Sequence, residues 1–210
     1  MMKLLSLLRD RSGASAAEFA MVLPLLMILT LGSIDFGRYM WELQQAKKAA
    51  QYGVRFAVVT SPVEGELIDE NYVGRAVGGV TLTQGDVIPA AALGTIVCDD
   101  ASCTCSGTCL TGGTDYDSAA FDAIVARMNR IDPRVVDTEV EVTYEGSGLG
   151  FAGDPNGSDI APLVTVAIKG RQFTPITTFL LATVNMPDVR ATLTAEDLAS
   201  HNAAWGSQSN

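Results

Sequence analysis

The sequence predicts an α+β protein: a long N-terminal helix followed by a small, mostly antiparallel β-sheet head with packed helices. Three observations carry this. An apolar run from Ala16 to Ile34 passes into a helical stripe that lasts to Ala57, and beyond Pro24 no proline interrupts before Pro62. A period of two recurs at 136–145, where the alternation is strict, and again at 164–169 and 189–196. Between the first two patterns lies an amphipathic segment with helical spacing, Phe121, Ile124, Val125, Met128 and Ile131.

The apolar run is about 19 residues, or roughly 28 Å as a helix, longer than the 7–15-residue apolar region of a secretory signal. It reads as a transmembrane segment over about 16–34, with cleavage near Leu31-Gly32-Ser33 as the competing signal-peptide reading. Lys3, Arg9 and Arg11 precede the run and mark its leading side as cytoplasmic. Glu18 sits inside it, where a carboxylate costs roughly 2.5–3.5 kcal/mol on insertion scales. Such a residue needs a partner.

Past the membrane, Tyr39, Leu43, Ala46, Ala50, Gly53 and Ala57 fall on one helical face, extending the helix over 14–58. Ala49, Gly53 and Ala57 lie four apart and permit close backbone approach. The stripe therefore packs either on another helix in a filament or on the chain's own head. Residues 59–116, rich in Gly, Thr, Ser and Asp, read as loops and short strands. Asp117 or Ser118 caps the helix that follows, and Pro133 halts it.

The first alternating stretch sets Val136, Thr138, Val140, Val142 and Tyr144 on one face and Asp137, Glu139, Glu141, Thr143 and Glu145 on the other. Val164, Val166 and Ile168 form the next strand, with Lys169 and Arg171 placed to meet Glu139 and Glu141 of an antiparallel neighbour. Thr174-Pro175 reads as the start of a short helix over 176–184, and 189–196 as a third strand. The head thus occupies 59–200, and 201–210 is a polar tail.

Lys and Arg number 14 against 24 Asp and Glu, a net charge of −10, which sets nucleic acid aside as a partner. Cys98, Cys103, Cys105 and Cys109 make C-x4-C-x-C-x3-C, an even set beyond a membrane segment, and read as two disulfides. The pairings 98–103 with 105–109 and 98–105 with 103–109 are both open. A zinc cluster is the rival reading, but zinc favours C-x2-C pairs and no histidine lies nearby. Asp99, Asp100, Asp115 and Asp117, and again Asp154, Asn156, Ser158 and Asp159, are oxygen-rich enough for calcium, but the same residues serve ordinary turns. The one histidine, His201, falls in the tail, and no nucleophile elbow or phosphate loop is present, so the chain reads as no enzyme and needs no cofactor or metal.

Gly13 behind its basic leader, Glu18 five residues on and Phe19 beside it resemble the N-terminus of prepilins of the Tad (tight adherence) type. The match extends through Val22-Leu23-Pro24-Leu25-Leu26, Asp35-Phe36-Gly37-Arg38 and Ala49-Ala50-Gln51-Tyr52-Gly53-Val54-Arg55, and this first quarter resembles TadE-like minor pilins. In the head, Phe173-Thr174-Pro175-Ile176-Thr177 and Ala191-Thr192-Leu193-Thr194-Ala195-Glu196-Asp197 resemble the same proteins. The resemblance implies a cytoplasmic leader at 1–13, removed by a prepilin peptidase after Gly13 to leave Ala14 at the new N-terminus. It implies that Glu18 is an assembly residue, meeting the amine of Ala14 on a neighbouring helix. The implied product is a minor pilin or pseudopilin, single-pass in the bacterial inner membrane with its head in the periplasm, which takes part in building or priming an adhesive pilus. The implied partners are the major Tad pilin, a TadF-like minor pilin, the assembly platform and the secretin. A signal-anchored envelope protein without a pilus role and a secreted hydrolase are the alternatives.

Overall fold

The computed structural model describes residues 12–154, 158–177, 182–195 and 198. Helix α1 runs Ser12–Ala57 as one element of 46 residues with Pro24 inside it. Proline has no N–H to give, so the carbonyl of Ala20 loses its donor one turn below. In the same apolar stretch the Thr30 hydroxyl donates to the Leu26 carbonyl at 2.9 Å and that of Ser33 to the Thr30 carbonyl at 2.8 Å. Each hydroxyl is thereby satisfied within the helix, as an apolar surround demands.

The chain divides into two compact units, each described separately. The larger comprises Leu43–Arg171 and the residues from Asn185 onward. Its elements after α1 are α2 (Glu66–Asp69), the ribbon β1 (Ala76–Val77) with β2 (Val80–Thr81), β3 (Thr95–Cys98), β4 (Cys103–Ser106), α3 (Ser118–Asn129), β5 (Val140–Glu145), β6 (Leu163–Ile168) and, further on, β9 (Val189–Thr194). Five strands make one antiparallel sheet in the order β4-β3-β5-β6-β9. Alternation puts Ile96, Val140, Val142, Tyr144, Val164, Val166 and Ile168 in the core, while Glu141, Thr143 and Thr165 turn to the polar face.

Helix α3 buries Phe121, Ile124, Val125 and Met128, and Asp117 caps it by accepting from the N–H groups of Ala119 and Ala120 at 2.8 and 3.1 Å. The outer part of α1 buries Ala46, Ala49, Ala50, Val54 and Ala57 in this unit. At Gly53 an added Cβ would come within 2.8 Å of Met128 and 3.3 Å of Val166. The small-residue stripe is therefore occupied by the chain's own head, which takes the place of the neighbouring helix that its spacing also allowed.

Two expectations need correction. Residues 137–139 form a 3-10 turn, and β5 begins only at Val140. The partner strand explains this: the last β5–β6 pair is Val140 with Ile168, the Lys169 N–H still donates to the Glu139 carbonyl at 2.8 Å, and Gly170 at φ +69° then turns the chain away, so the ladder goes no further. The basic residues do meet the acidic ones: Lys169 pairs with Glu141 at 2.5 Å, and Arg171 reaches Glu139 at 3.2 Å. Arg171 also binds Asp132, which the strand pattern did not include.

The smaller unit comprises the described part of Met1–Glu42 together with Gln172–Val184. In it β7 (Gln172–Phe173) leads into Thr174-Pro175, and a two-stranded ladder joins β7 to β8 (Val184–Asn185). The helix expected over 176–184 is not present at its described ends. Ile176 and Thr177 lie in a turn, and Ala182 and Thr183 are irregular. Residues 178–181 lie outside the described residues.

Candidate functional site

Gly13, Ala14, Glu18 and Phe19 occupy the first two turns of α1. Gly13 is exposed, and a Cβ there would meet nothing within 4 Å. Glu18 is exposed and Phe19 is 60% exposed. Five residues separate Gly13 from Glu18, which places them about 7.5 Å apart along the axis and some 140° around it. Among the described residues no basic group pairs with Glu18, and the leader residues Lys3, Arg9 and Arg11 lie outside that set. The apolar side chains from Met21 to Leu29 are exposed all round, and one helix of the described chain is long and apolar enough to cross a membrane.

Where the apolar run ends, sequence reasoning missed a buried carboxylate. Asp35 is 4% exposed and accepts from the N–H of Ile176 at 2.8 Å, the N–H of Thr177 at 3.1 Å and the Thr177 hydroxyl at 2.7 Å. Arg38, one turn on, approaches it at 3.4 Å and stacks its guanidinium over Phe173, 5.4 Å from the ring centre. Tyr39 meets the same ring edge-on at 5.5 Å. Asp35 thus caps the Pro175-Ile176-Thr177 turn from 141 residues away, satisfying donors that a local N-cap would otherwise serve. Burial alone would raise the Asp35 pKa, but the three hydrogen bonds and Arg38 outweigh it and hold the carboxyl below its ordinary value. The available signal was the pairing of two stretches singled out separately, 35–38 and 173–177.

The four cysteines form the disulfides Cys98–Cys103 and Cys105–Cys109. Cys98 and Cys103 face each other across β3 and β4, so the hairpin itself brings them together. Buried Glu64 lies beside the first bridge, its carboxylate oxygen and the two sulfurs within 4.8 Å of one another. Both sulfurs are bonded to each other and offer no thiolate to a metal. Burial raises the Glu64 pKa, partly offset by the N–H of Asp115, which donates to Oε1 at 2.7 Å.

The oxygen-rich stretches have structural employment. Asp99 accepts from the N–H groups of Ala101 and Ser102 at 2.9 and 2.8 Å, closing the β3–β4 turn. Asp159 accepts from the N–H groups of Tyr72 and Asp154, at 2.8 and 2.9 Å. Asn156 and His201 lie outside the described residues.

These features define a class: an α+β head on a helix suited to anchor it in a membrane, with a carboxylate near the start of the anchor. Within that class, residues 13–55 match the family of TadE-like proteins, a segment that includes Gly13, Glu18, Asp35 and the small-residue stripe as far as Gly53. No curated protein and no solved structure matches the chain.

Proposed function

We propose that the protein is a minor pilin or pseudopilin of a Tad-type adhesive pilus, anchored in the bacterial inner membrane with its leader cytoplasmic and its head periplasmic. The observation that carries this reading is the TadE-like match over residues 13–55, which begins at the glycine expected to mark the cut. The exposed apolar helix and the disulfides suit an exported, membrane-held head. In this reading a prepilin peptidase cleaves after Gly13 and frees the amine of Ala14. Glu18 then meets that amine on a neighbouring pilin helix, offsetting part of the penalty for holding a carboxylate in low dielectric. The role is structural: the head presents a surface to the major pilin, a TadF-like minor pilin and the assembly platform, and pilus growth through the secretin follows from assembly.

N-terminal sequencing of the protein recovered from membranes tests the reading. Ala14 as first residue is the expected result, and replacing Gly13 by a bulky residue leaves the full-length chain in the membrane. An intact residue 1 or a start near Ser33 overturns it. Co-purification separates the role of Glu18. Glu18→Ala inserts and keeps its disulfides but loses the pilin partners, and undiminished recovery of those partners would remove the carboxylate from the assembly contact.

A further inference from the structure

We infer that residues 173–177 and 182–184 form a second, peripheral membrane contact, seated in the outer headgroup layer beside the exit of α1. This rests on reading residues 16–34 as the span, and it concerns the smaller unit alone.

The height of the segment follows from its partners on α1. Phe173 packs at the level of Arg38 and Tyr39, and Ile176 and Thr177 are held at the level of Asp35. From Ile34, the last residue of the span, to Tyr39 is a rise of about 7.5 Å. A headgroup layer is roughly 5–7 Å deep on each side of the hydrocarbon. The chain descends along the helix between Phe173 and Thr177, so its turn stands at the hydrocarbon boundary.

The chemistry suits that depth. From Gln172 to Pro187 the sequence holds no charged residue, in a chain of net charge −10. Ile176 is 54% exposed and Val184 47%, large apolar side chains left open to the surroundings. On α1 the exposed Phe36, Met40 and Trp41 carry an apolar and aromatic surface through the same layer, the composition favoured at membrane interfaces. Non-helical backbone is costly near hydrocarbon unless its polar groups are satisfied. Asp35 supplies that satisfaction to Ile176 and Thr177, and Arg38 balances its charge. The occupant of this surface is therefore lipid, at the junction of headgroups and acyl chains.

Site-directed spin labelling of the full chain in phosphatidylcholine–phosphatidylglycerol vesicles tests the inference. Single cysteines replace Ile176, Leu25 or Thr192, the last on β9 in the head, and each carries a nitroxide whose collisions with oxygen and with a water-soluble nickel chelate report depth. Non-reducing peptide mapping of each labelled variant checks that Cys98–Cys103 and Cys105–Cys109 are intact. The expected result is a deep signal at Leu25, an aqueous one at Thr192, and at Ile176 an oxygen-to-nickel ratio several-fold above that of Thr192. Should Ile176→Cys not accumulate, the exposed Ala182→Cys serves in its place with the same expectation. A deep Leu25 with Ile176 as aqueous as Thr192 overturns the peripheral contact and leaves the span standing. An aqueous Leu25 overturns the span, and the contact with it.

Discussion

Residues 15–30 and residues 46–57 belong to one helix, yet they meet their surroundings in opposite ways. The first stretch carries large apolar side chains on every face, all exposed. The second carries small ones on a single stripe, Ala46, Ala49, Ala50, Gly53 and Ala57, all buried. A fluid surround has no fixed shape, so bulk on all sides is tolerated there and size matters little. A sheet and a helix have a fixed shape, and backbone-to-side-chain approach at Gly53 leaves no room for variation. The same secondary structure is thus specified by composition in one half and by steric fit in the other.

The contrast is broken most severely by unfolding the head on which the outer half rests. Asp132 is 1% exposed, accepts from Arg134 at 2.9 Å and pairs with Arg171 at 2.5 Å. Removing one partner of a buried pair costs about 3–5 kcal/mol, so Asp132→Ala should lower the urea midpoint of the head by that equivalent while leaving helical ellipticity of the membrane half intact. Acid reaches the same group. Burial would raise the Asp132 pKa, but hydrogen bonds from Arg134 and Arg171 with the charge of Arg171 lower it on balance. A carboxyl whose folded pKa is depressed contributes stability above its unfolded value of about 3.9, lost as pH falls through the folded value. A urea series from pH 6 to pH 2 should therefore show a loss that Asp132→Asn lacks in part.

Next in size is Gly53→Leu, which forces a side chain against Met128 and Val166. Overpacking of this kind costs about 2–3 kcal/mol and should appear as a lower Tm of the full chain in detergent. The head is also tied by its bridges. Cys98→Ser with Cys103→Ser opens a loop of sequence separation 5, for which chain entropy gives about 2 kcal/mol, read from the same melt. Smallest is Leu25→Ala, 68% exposed, which should shift the head's melting by less than about 0.5 kcal/mol. A large shift there would erase the distinction between the two halves.

How much of this was legible in the chain depends on how local the cause is. Period 2 identified β5, β6 and β9, and period 3.6 with Asp117 identified α3, because burial of one face imposes those patterns directly. The false start of β5 at Val136 came from the same rule: alternation persists through 136–139 although the partner strand has already turned at Gly170. The stripe on α1 was visible, but its occupant was not, since small residues at that spacing admit either a helix or a head. Asp35 was the least legible element. Its partners are backbone N–H groups far along the chain, and a backbone donor leaves no mark on residue identity.

That separation also orders the events of folding. Asp35 leaves the ribosome long before Ile176, 141 positions later, so the first-made helix waits for nearly the whole chain before its last hydrogen bonds exist. Closing so long a loop directly would be slow. The ladder of β6 with β9 shortens the task, because Ile168 and Val189 pair and pin both ends of the intervening segment. The search then falls to a short loop whose ends are already fixed. The clasp at the helix exit is accordingly a late event that registers completion of the sheet, and amide hydrogens of Ile176 and Thr177 should gain protection after those of Val164 and Val166 in a pulse-labelled refolding experiment.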